Sequence, residues 1–470
     1  MIKKNDDFDL TITGYTSEGS GVGKKDGIAV FVENTAKNDI IKCHIIKAKK
    51  NYAIGKAMKI VKPSKDRIEP LCEHFKYCGG CSFSHLKYKA EAELKAEKVK
   101  DAFLRIAHLE PEFEDIIVSQ NTERYRNKAQ YPVGFDKDVV AGFYAQKSHR
   151  IIDSADCVLQ PQEFADIVKV IKEWMVEFGI EPYDSINHTG LVRHIYIRKA
   201  FVTGQIMVCL VINGNVLPYG DELCDDLMRF KEIKSVVINE NTEKTNVILG
   251  KTCTTLWGDD YIEDVLCGVK IRLSPLSFYQ VNHDCAELLY KKALEYVETK
   301  GNETILDLYC GAGTIGLSMA KSVGKVIGVE IIPEAIEDAK ENAKLNGIEN
   351  IKFFPADAGK FMVDLANNNE QIDAVIMDPA RAGSDNPFLS SLVKLSPEKV
   401  VYVSCNPETL ARDLMYLSKN GYKVKKIQPV DMFLHTDHVE TVILLSRKDV
   451  HERIKFDLNI EELNRTSQSK

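Results

Sequence analysis

The segment Asp307-Leu-Tyr-Cys-Gly311-Ala-Gly313-Thr-Ile-Gly316 restricts the fold more than any other stretch of this 470-residue chain. It is a G-x-G-x-x-G turn set where an apolar strand, Thr304–Leu308, passes into a helical pattern. Glycines there let the backbone turn tightly and come close to a ligand. Glu330 stands nineteen residues beyond Gly311, at the end of the next strand, where a carboxylate can take both hydroxyls of a ribose. Further apolar runs at 325–329, 351–354, 373–377 and 399–403 are separated by helical or turn-rich stretches, which predicts βαβ units and a parallel sheet. A last run, 439–445, follows the run 422–427 after a connection too short for a crossover helix, and is expected to be antiparallel. On its own the glycine turn fits a nicotinamide dinucleotide and S-adenosylmethionine equally.

The later strand ends separate the two. Ligands of such sheets lie beyond the carboxyl ends of the strands. Those ends carry Asp357, then Asp378-Pro-Ala-Arg381-Ala-Gly383, then Ser404-Cys405-Asn406-Pro407. A dinucleotide enzyme has no evident use for an Asp-Pro turn beside a cysteine. A methyltransferase acting on a poorly nucleophilic ring carbon has: C5 of uracil becomes electron-rich when a thiolate adds at C6. Cys405 suits that role, against the blander reading of a buried strand-end thiol. Once C5 is methylated its proton must leave, which requires a base. In His435-Thr-Asp-His438-Val-Glu440 the leading candidate is Glu440, with Asp437 and His438 as alternatives.

At about 150 residues per domain the length suggests three domains. The composition, 44% hydrophobic and 28% charged, is that of a folded chain. No apolar run nears the ~20 residues of a membrane span, and Met1-Ile-Lys-Lys-Asn-Asp-Asp lacks a leader's apolar stretch, so a cytoplasmic protein without a membrane role is expected. The formal charge of −7 hides a basic stretch. Between positions 41 and 70 nine Lys/Arg (Lys42, Lys47, Lys49, Lys50, Lys56, Lys59, Lys62, Lys65, Arg67) face Asp66 and Glu69, a local +7 that suggests a polyanionic partner. Short β-rich segments broken by glycines over 10–60 suit a small five-stranded barrel or a related β module. A helical pattern covers 85–107, and the region 121–270 reads as α+β. Cys72-x5-Cys78-Gly-Gly-Cys81 with Cys157 is a set of four thiols able to wrap one metal centre; zinc and [4Fe–4S] both suit four thiolates, and the lone first cysteine favours iron–sulfur. The spacing is not C-x3-C-x2-C, so a structural centre is expected rather than a radical initiator. Arg124-Tyr-Arg-Asn-Lys128 and Arg193-His-Ile-Tyr-Ile-Arg198 interleave cations with aromatic rings, as a surface for phosphates and unpaired bases does. Strands with outward Arg and inward Tyr look the same. Ser274-Pro-Leu-Ser-Phe278-Tyr-Gln280-Val-Asn282 offers a ring and an amide for a flipped base.

These motifs together resemble the bacterial RNA uracil-C5 methyltransferases, most closely the 23S ribosomal RNA members. The resemblance runs over nearly the whole chain, from Gly21-Val-Gly-Lys-Lys-Asp-Gly27 in a TRAM-like segment through the four cysteines, 274–282, 307–313, 378–381 and 404–407 to His435-Thr-x-His-x-Glu440. It implies a multidomain chain: a TRAM/OB-like β-barrel that binds RNA (1–62), a central α+β domain with an iron–sulfur cluster and RNA contacts (63–275), an α/β Rossmann-like class I methyltransferase (276–450) and a polar tail (451–470). It further implies Cys405 as nucleophile, Glu440 as base and a [4Fe–4S] cluster on Cys72, Cys78, Cys81 and Cys157. Gln280, Tyr309, Thr314, Glu330, Asp357 and Asp378 match positions that contact S-adenosylmethionine. The implied partner is RNA, 23S rRNA ahead of tRNA because the tRNA-directed bacterial branch generally lacks both cluster and TRAM domain, with no obligate protein partner. Glu33-Asn-Thr-Ala-Lys-Asn-Asp39 departs from the Pro-Gly turn usual in relatives.

Overall fold

The computed structural model describes residues 2–448, so the tail expected over 451–470 lies outside the described residues. The chain divides into two compact units: the first holds the chain up to Lys98, Ile116–Leu288 and Asp431–Val439, the second Val99–Asp115, Leu289–Val430 and the chain from Glu440.

The first unit begins with five strands, β1 (Asp7–Tyr15), β2 (Gly21–Lys25), β3 (Ile28–Val32), β4 (Ile40–Ala48) and β5 (Tyr52–Lys62), closed into a barrel in the order β1-β2-β3-β5-β4. Alternation puts Leu10, Ile12, Val30, Val32, Ile41, Cys43 and Ile45 inside. The loop after β3 replaces the expected Pro-Gly turn with two asparagines in the left-handed region, Asn34 and Asn38 at φ 58 and 74. The buried carboxylate of Asp39 fixes it by accepting from Ala36 and Ser64 N–H and from the Arg67 guanidinium. Arg67, one of the nine cations of the basic stretch, is therefore an internal counter-charge, and Lys42 reaches Asp9 at 3.3 Å.

After helix α1 (Tyr88–Ala102), whose C-terminus loosens into a π-turn over Phe103–Ala107, seven strands form the second sheet of this unit. They are β6 (Lys128–Asp136), β7 (Asp138–Tyr144), β8 (Ile151–Asp153), β9 (Val192–Lys199), β10 (Ile206–Ile212), β11 (Ile233–Glu240) and β12 (Thr252–Gly258), in the order β12-β11-β10-β9-β6-β7-β8. Between them come α2 (Gln162–Glu177) and the short α3 (Gly220–Leu227), which crosses between parallel β10 and β11. Apolar residues of both helices bury against this sheet, Trp174 the largest among them. Arg193 and Arg198 of the interleaved stretches belong to this architecture and not to a phosphate-binding face. Arg193, 5% exposed, donates to the carbonyls of Asn241, Glu243 and Thr245 and covers the Tyr183 ring; Arg198, 1% exposed, donates to those of Ser274 and Ser277. Both tie loops that lack ladder partners, which satisfies carbonyls that burial would otherwise strand. The hairpin β13 (Ile262–Leu266) and β14 (Val269–Leu273) precedes α4 (His283–Val297).

The second unit is the expected βαβ sheet. In chain order it runs β15 (Thr304–Leu308), α5 (Thr314–Met319), β16 (Lys325–Glu330), α6 (Pro333–Leu345), β17 (Ile351–Pro355), α7 (Ala358–Asn367), β18 (Ala374–Met377), α8 (Asn386–Leu395), β19 (Lys399–Ser404), α9 (Pro407–Lys419), β20 (Tyr422–Val430) and β21 (Glu440–Arg447). The sheet order is β17-β16-β15-β18-β19-β21-β20. The first five strands are parallel, and β21 inserts between β19 and β20 antiparallel to both. The order reverses beside β15, which opens the crevice into which the glycine turn faces.

Candidate active site

The glycine turn leaves β15 through Tyr309, Gly311 and Gly313, all at positive φ (62, 53 and 79). A Cβ on Gly313 would stand 2.8 Å from the Phe353 ring, so only glycine lets the turn pack on β17. Glu330 closes the turn: it accepts Gly311 N–H at 3.3 Å and the Ile331 and Ile332 N–H groups at 2.8 and 3.1 Å. Asp357 caps α7 by accepting Lys360 N–H at 2.9 Å. Tyr309, Glu330 and Asp357 line one cavity of about 690 Å³, together with Ile331, Asp385 and Phe388. That volume is in the ~300–1,000 Å³ range of small-molecule sites. An apolar wall, two carboxylates on neighbouring strand ends and an open glycine turn fit a nucleoside bearing a free ribose. Thr314, Asp378 and Gln280 do not line this cavity. Thr314 Oγ1 lies 3.1 Å from the Tyr290 hydroxyl, and Gln280 is buried in the other unit with its carbonyl accepting from Asn127 Nδ2. Asp385 and Phe388 were not singled out from sequence; the N-cap pattern of α8 was the available signal.

Asp378, Cys405 and Glu440 end three neighbouring strands. Ser404 pairs with Thr441, so Cys405 and Glu440 are the next two residues in register at that end of the sheet. Met377 pairs with Tyr402 one strand over. Glu440 is 3% exposed, and its carboxyl is held well above the usual range by burial and then by the Asp378 charge. Burial likewise pushes Asp378 up to about 7. Cys405 is half-buried, and its thiol is pushed up to about 11 by burial, with Glu440 and Asp378 adding to the rise and Arg381 opposing it. Two acids that resist ionising and a thiol beside them form a site able to accept and release protons near neutral pH. Of the alternative bases, Asp437 and His438 lie on the 431–439 connection in the first unit, where Lys98 Nζ donates to the Asp437 carbonyl and His438 meets Phe433 edge-on.

A model of the tRNA (Uracil-5-)-methyltransferase family matches residues 87–448, and one of the TRAM domain matches residues 4–58. The chain belongs to the RNA (uracil-5-)-methyltransferase family. This methyltransferase is 44% identical over 447 residues to an uncharacterized RNA methyltransferase of Clostridium tetani, covering 95% of this chain and 97% of that one. It is 42% identical over 449 residues to one of Listeria innocua, covering 95% and 99%. The crystal structure of the Pyrococcus abyssi tRNA (uracil-54, C5)-methyltransferase, in complex with S-adenosyl-L-homocysteine, superposes with a TM-score of 0.75 at 29% identity, over 93% of this chain and 99% of that one. The methyltransferase is therefore an S-adenosylmethionine-dependent enzyme of RNA uracil C5, with an N-terminal TRAM barrel. No helix among its described residues is long and apolar enough to cross a membrane.

Cys72, Cys78, Cys81 and Cys157 all lie in the first unit of the methyltransferase, half-buried and unpaired by disulfides. Burial pushes Cys81 up to about 12 and Cys157 to about 11, and each of these two is raised further by charge on others of the four. Among the described residues no three His, Cys, Asp or Glu stand at metal-ligand spacing. The donor chemistry still fits an anionic centre, because buried Arg126 favours charge on Cys81 and Cys157 while its own Nε has no hydrogen-bond partner.

Proposed function

We propose that this enzyme methylates C5 of a uridine in 23S rRNA through a covalent Cys405–C6 adduct, with Glu440 removing the C5 proton. The observation that carries it is the register of β19 and β21, which puts Cys405 and Glu440 side by side at one sheet end with Asp378 on the next strand. Cys405 gives its thiol proton to water and its electron pair to C6, which leaves Glu440 as the base for the last step; the C5–C6 π electrons shift to C5 and the C4 oxygen. S-adenosylmethionine supplies the electrophilic methyl, and Tyr309, Glu330 and Asp357 would hold its nucleoside in the cavity, with Asp378, Gln280 and Thr314 assigned by resemblance alone. Glu440 then takes the C5 proton, the C5–C6 double bond re-forms, and Cys405 leaves as thiolate. A carboxyl kept at high pKa is the stronger base for a carbon acid, so the burial of Glu440 serves this last step.

Cys405→Ala is expected to abolish both methylation and adduct. Glu440→Gln is expected to add, transfer methyl and stall as a methylated RNA–protein adduct that survives denaturation. Free turnover by Glu440→Gln, with stalling on substitution of Asp437 or His438, would move the base and leave the nucleophile in place.

The four cysteines favour a ribosomal substrate and a [4Fe–4S] cluster that supports the fold. Iron and sulfide analysis of anaerobically purified protein tests this; stoichiometric zinc without iron overturns it. The tRNA reading has its own support in the Pyrococcus abyssi structure, whose protein is named for uridine 54 of tRNA. Mapping 5-methyluridine in rRNA and tRNA from cells lacking this enzyme separates the two: a missing mark in 23S rRNA supports our reading, and one missing only from tRNA replaces it.

A further inference from the structure

The loop 378–385 joins the end of β18 to the N-cap of α8, so one stretch of backbone runs from the carboxylate beside Cys405 to the cofactor cavity, which Gly383 and Asp385 line. Residues 379–385 lie in no strand or helix, and the side chains that hold them come from the N-cap and first two turns of α9, the helix that starts two residues after Cys405. Asn406 Nδ2 and Thr409 Oγ1 donate to the Arg381 carbonyl at 3.3 and 3.2 Å. Arg412 Nη2 donates to the carbonyls of Ala382 and Ser384 at 3.1 and 2.9 Å. Asp413, with no exposed surface, is the centre of the arrangement. Its Oδ2 accepts Ser384 N–H at 2.8 Å and the Tyr402 hydroxyl at 2.7 Å, and its Oδ1 accepts Arg412 Nε and Nη2 at 2.9 and 2.7 Å. Gly383, at φ 72, leaves the contact no slack: a Cβ there would stand 2.8 Å from both Arg412 Nη2 and Asp413 Oδ2.

We propose that Asp413 is a positioning residue that keys the cofactor cavity to the nucleophile, by locking Ser384 and the loop around it onto the helix that starts two residues after Cys405. The inference rests on reading the cavity beside Glu330 as the cofactor site. A carboxylate is the one side chain of this size that accepts from a main-chain amide, a phenol and a guanidinium at once. Asparagine at 413 turns an N–H2 toward donors, so the loop loses its anchor while the volume is kept. Tyr402 can lose its hydroxyl with Ser384 N–H still bound.

The test uses the full-length protein and calorimetric binding of S-adenosylhomocysteine, with Glu330→Ala as the control for the cavity. Asp413→Asn is expected to weaken binding about tenfold and to raise the KM for S-adenosylmethionine in parallel, with kcat at saturation changing less than about threefold. Tyr402→Phe is expected to weaken binding less than about threefold. A variant that merely destabilises the fold would lower the melting temperature and leave affinity unchanged. Binding by Asp413→Asn within about twofold of the unmutated protein, with Glu330→Ala weakened, overturns the proposal and leaves the cavity reading intact. Unchanged binding in Glu330→Ala removes the cavity reading and the proposal with it. Should Asp413→Asn not fold, half-exposed Arg412→Met carries the same test: a loss of threefold or more supports the proposal, and a smaller one overturns it.

Discussion

Asp307 is a residue whose charge this fold disfavours. It lies under the glycine turn, 1% exposed, with Oδ2 accepting Gly316 N–H at 2.9 Å. Burial pushes its carboxyl up to about 7; the Gly316 bond opposes the rise, and Asp378 and Glu330 add to it. The folded protein therefore holds a proton here that the unfolded chain, with an ordinary carboxyl near 3.8, has already lost. Between those values the native state binds more protons than the unfolded state, so stability falls as pH rises from about 4 to about 7 and stays reduced above that. Asp307→Asn keeps an acceptor for Gly316 and removes the titration. Its stability relative to the unmutated protein is expected to improve across that window by about 1.4 kcal/mol for each pH unit crossed. Denaturant unfolding at pH 4.5 and 8 measures it; a difference that does not change with pH would mean Asp307 ionises as freely as an exposed carboxyl.

At the scale of elements, α1 shows what sequence pattern conveys and what it hides. Glu91 and Lys95 are spaced i, i+4, a spacing that on a helix surface pairs opposite charges. In the fold both are fully buried, and Lys95 Nζ donates to Glu91 Oε1 at 2.7 Å, to Asp431 Oδ1 at 2.7 Å and to the Phe433 carbonyl at 3.0 Å. Burial raises Glu91, but Lys95 and His435 more than offset it and keep the carboxyl low, while burial holds Asp431 high. Asp431 is 336 residues away in sequence, and no local rule announces it. Lys95→Met leaves two buried carboxylates without their cation and is expected to cost about 3–5 kcal/mol. Adding Glu91→Gln and Asp431→Asn should recover much of that loss, and denaturant titration of the single and triple variants checks it. The same limit explains the other differences between pattern and fold. Strand identities and the parallel run β15 to β19 were legible because periodicity and turn residues are local. That the last strand is antiparallel was legible from a short connection, but its insertion between β19 and β20 depends on non-local register. Arg193 and Arg198 read as RNA-facing because alternation looks alike whether the cation meets water or stranded carbonyls. In the site, Glu330 and Asp357 were legible from strand ends, whereas Asp385 and Phe388 had only the N-cap pattern of α8 as a signal and Asp413 lies on α9 facing loop partners that no local motif marks.

For the molecule as a whole, the formal charge of −7 must still be reconciled with an RNA substrate. The resolution is local. On β4, β5 and their connections Lys47, Lys49, Lys50, Lys56 and Lys59 are exposed, beside exposed Tyr52 and Met58, while Arg67 and Lys42 face carboxylates of the barrel. A polyanion meets this concentrated patch at short range, because charges more than about 8–10 Å away are screened at physiological salt. If the patch binds phosphates, each contact releases counterions and steepens the salt dependence of affinity by roughly 0.7 in log–log slope for single-stranded RNA. Replacing Lys47, Lys49, Lys50, Lys56 and Lys59 with Gln is therefore expected to weaken RNA binding and flatten that slope, with S-adenosylhomocysteine affinity unchanged because the cavity is built from other strands. Binding isotherms at several salt concentrations decide it. A slope identical to that of the unmutated enzyme would assign the RNA contacts elsewhere and leave the barrel's lysines as a solubilising face.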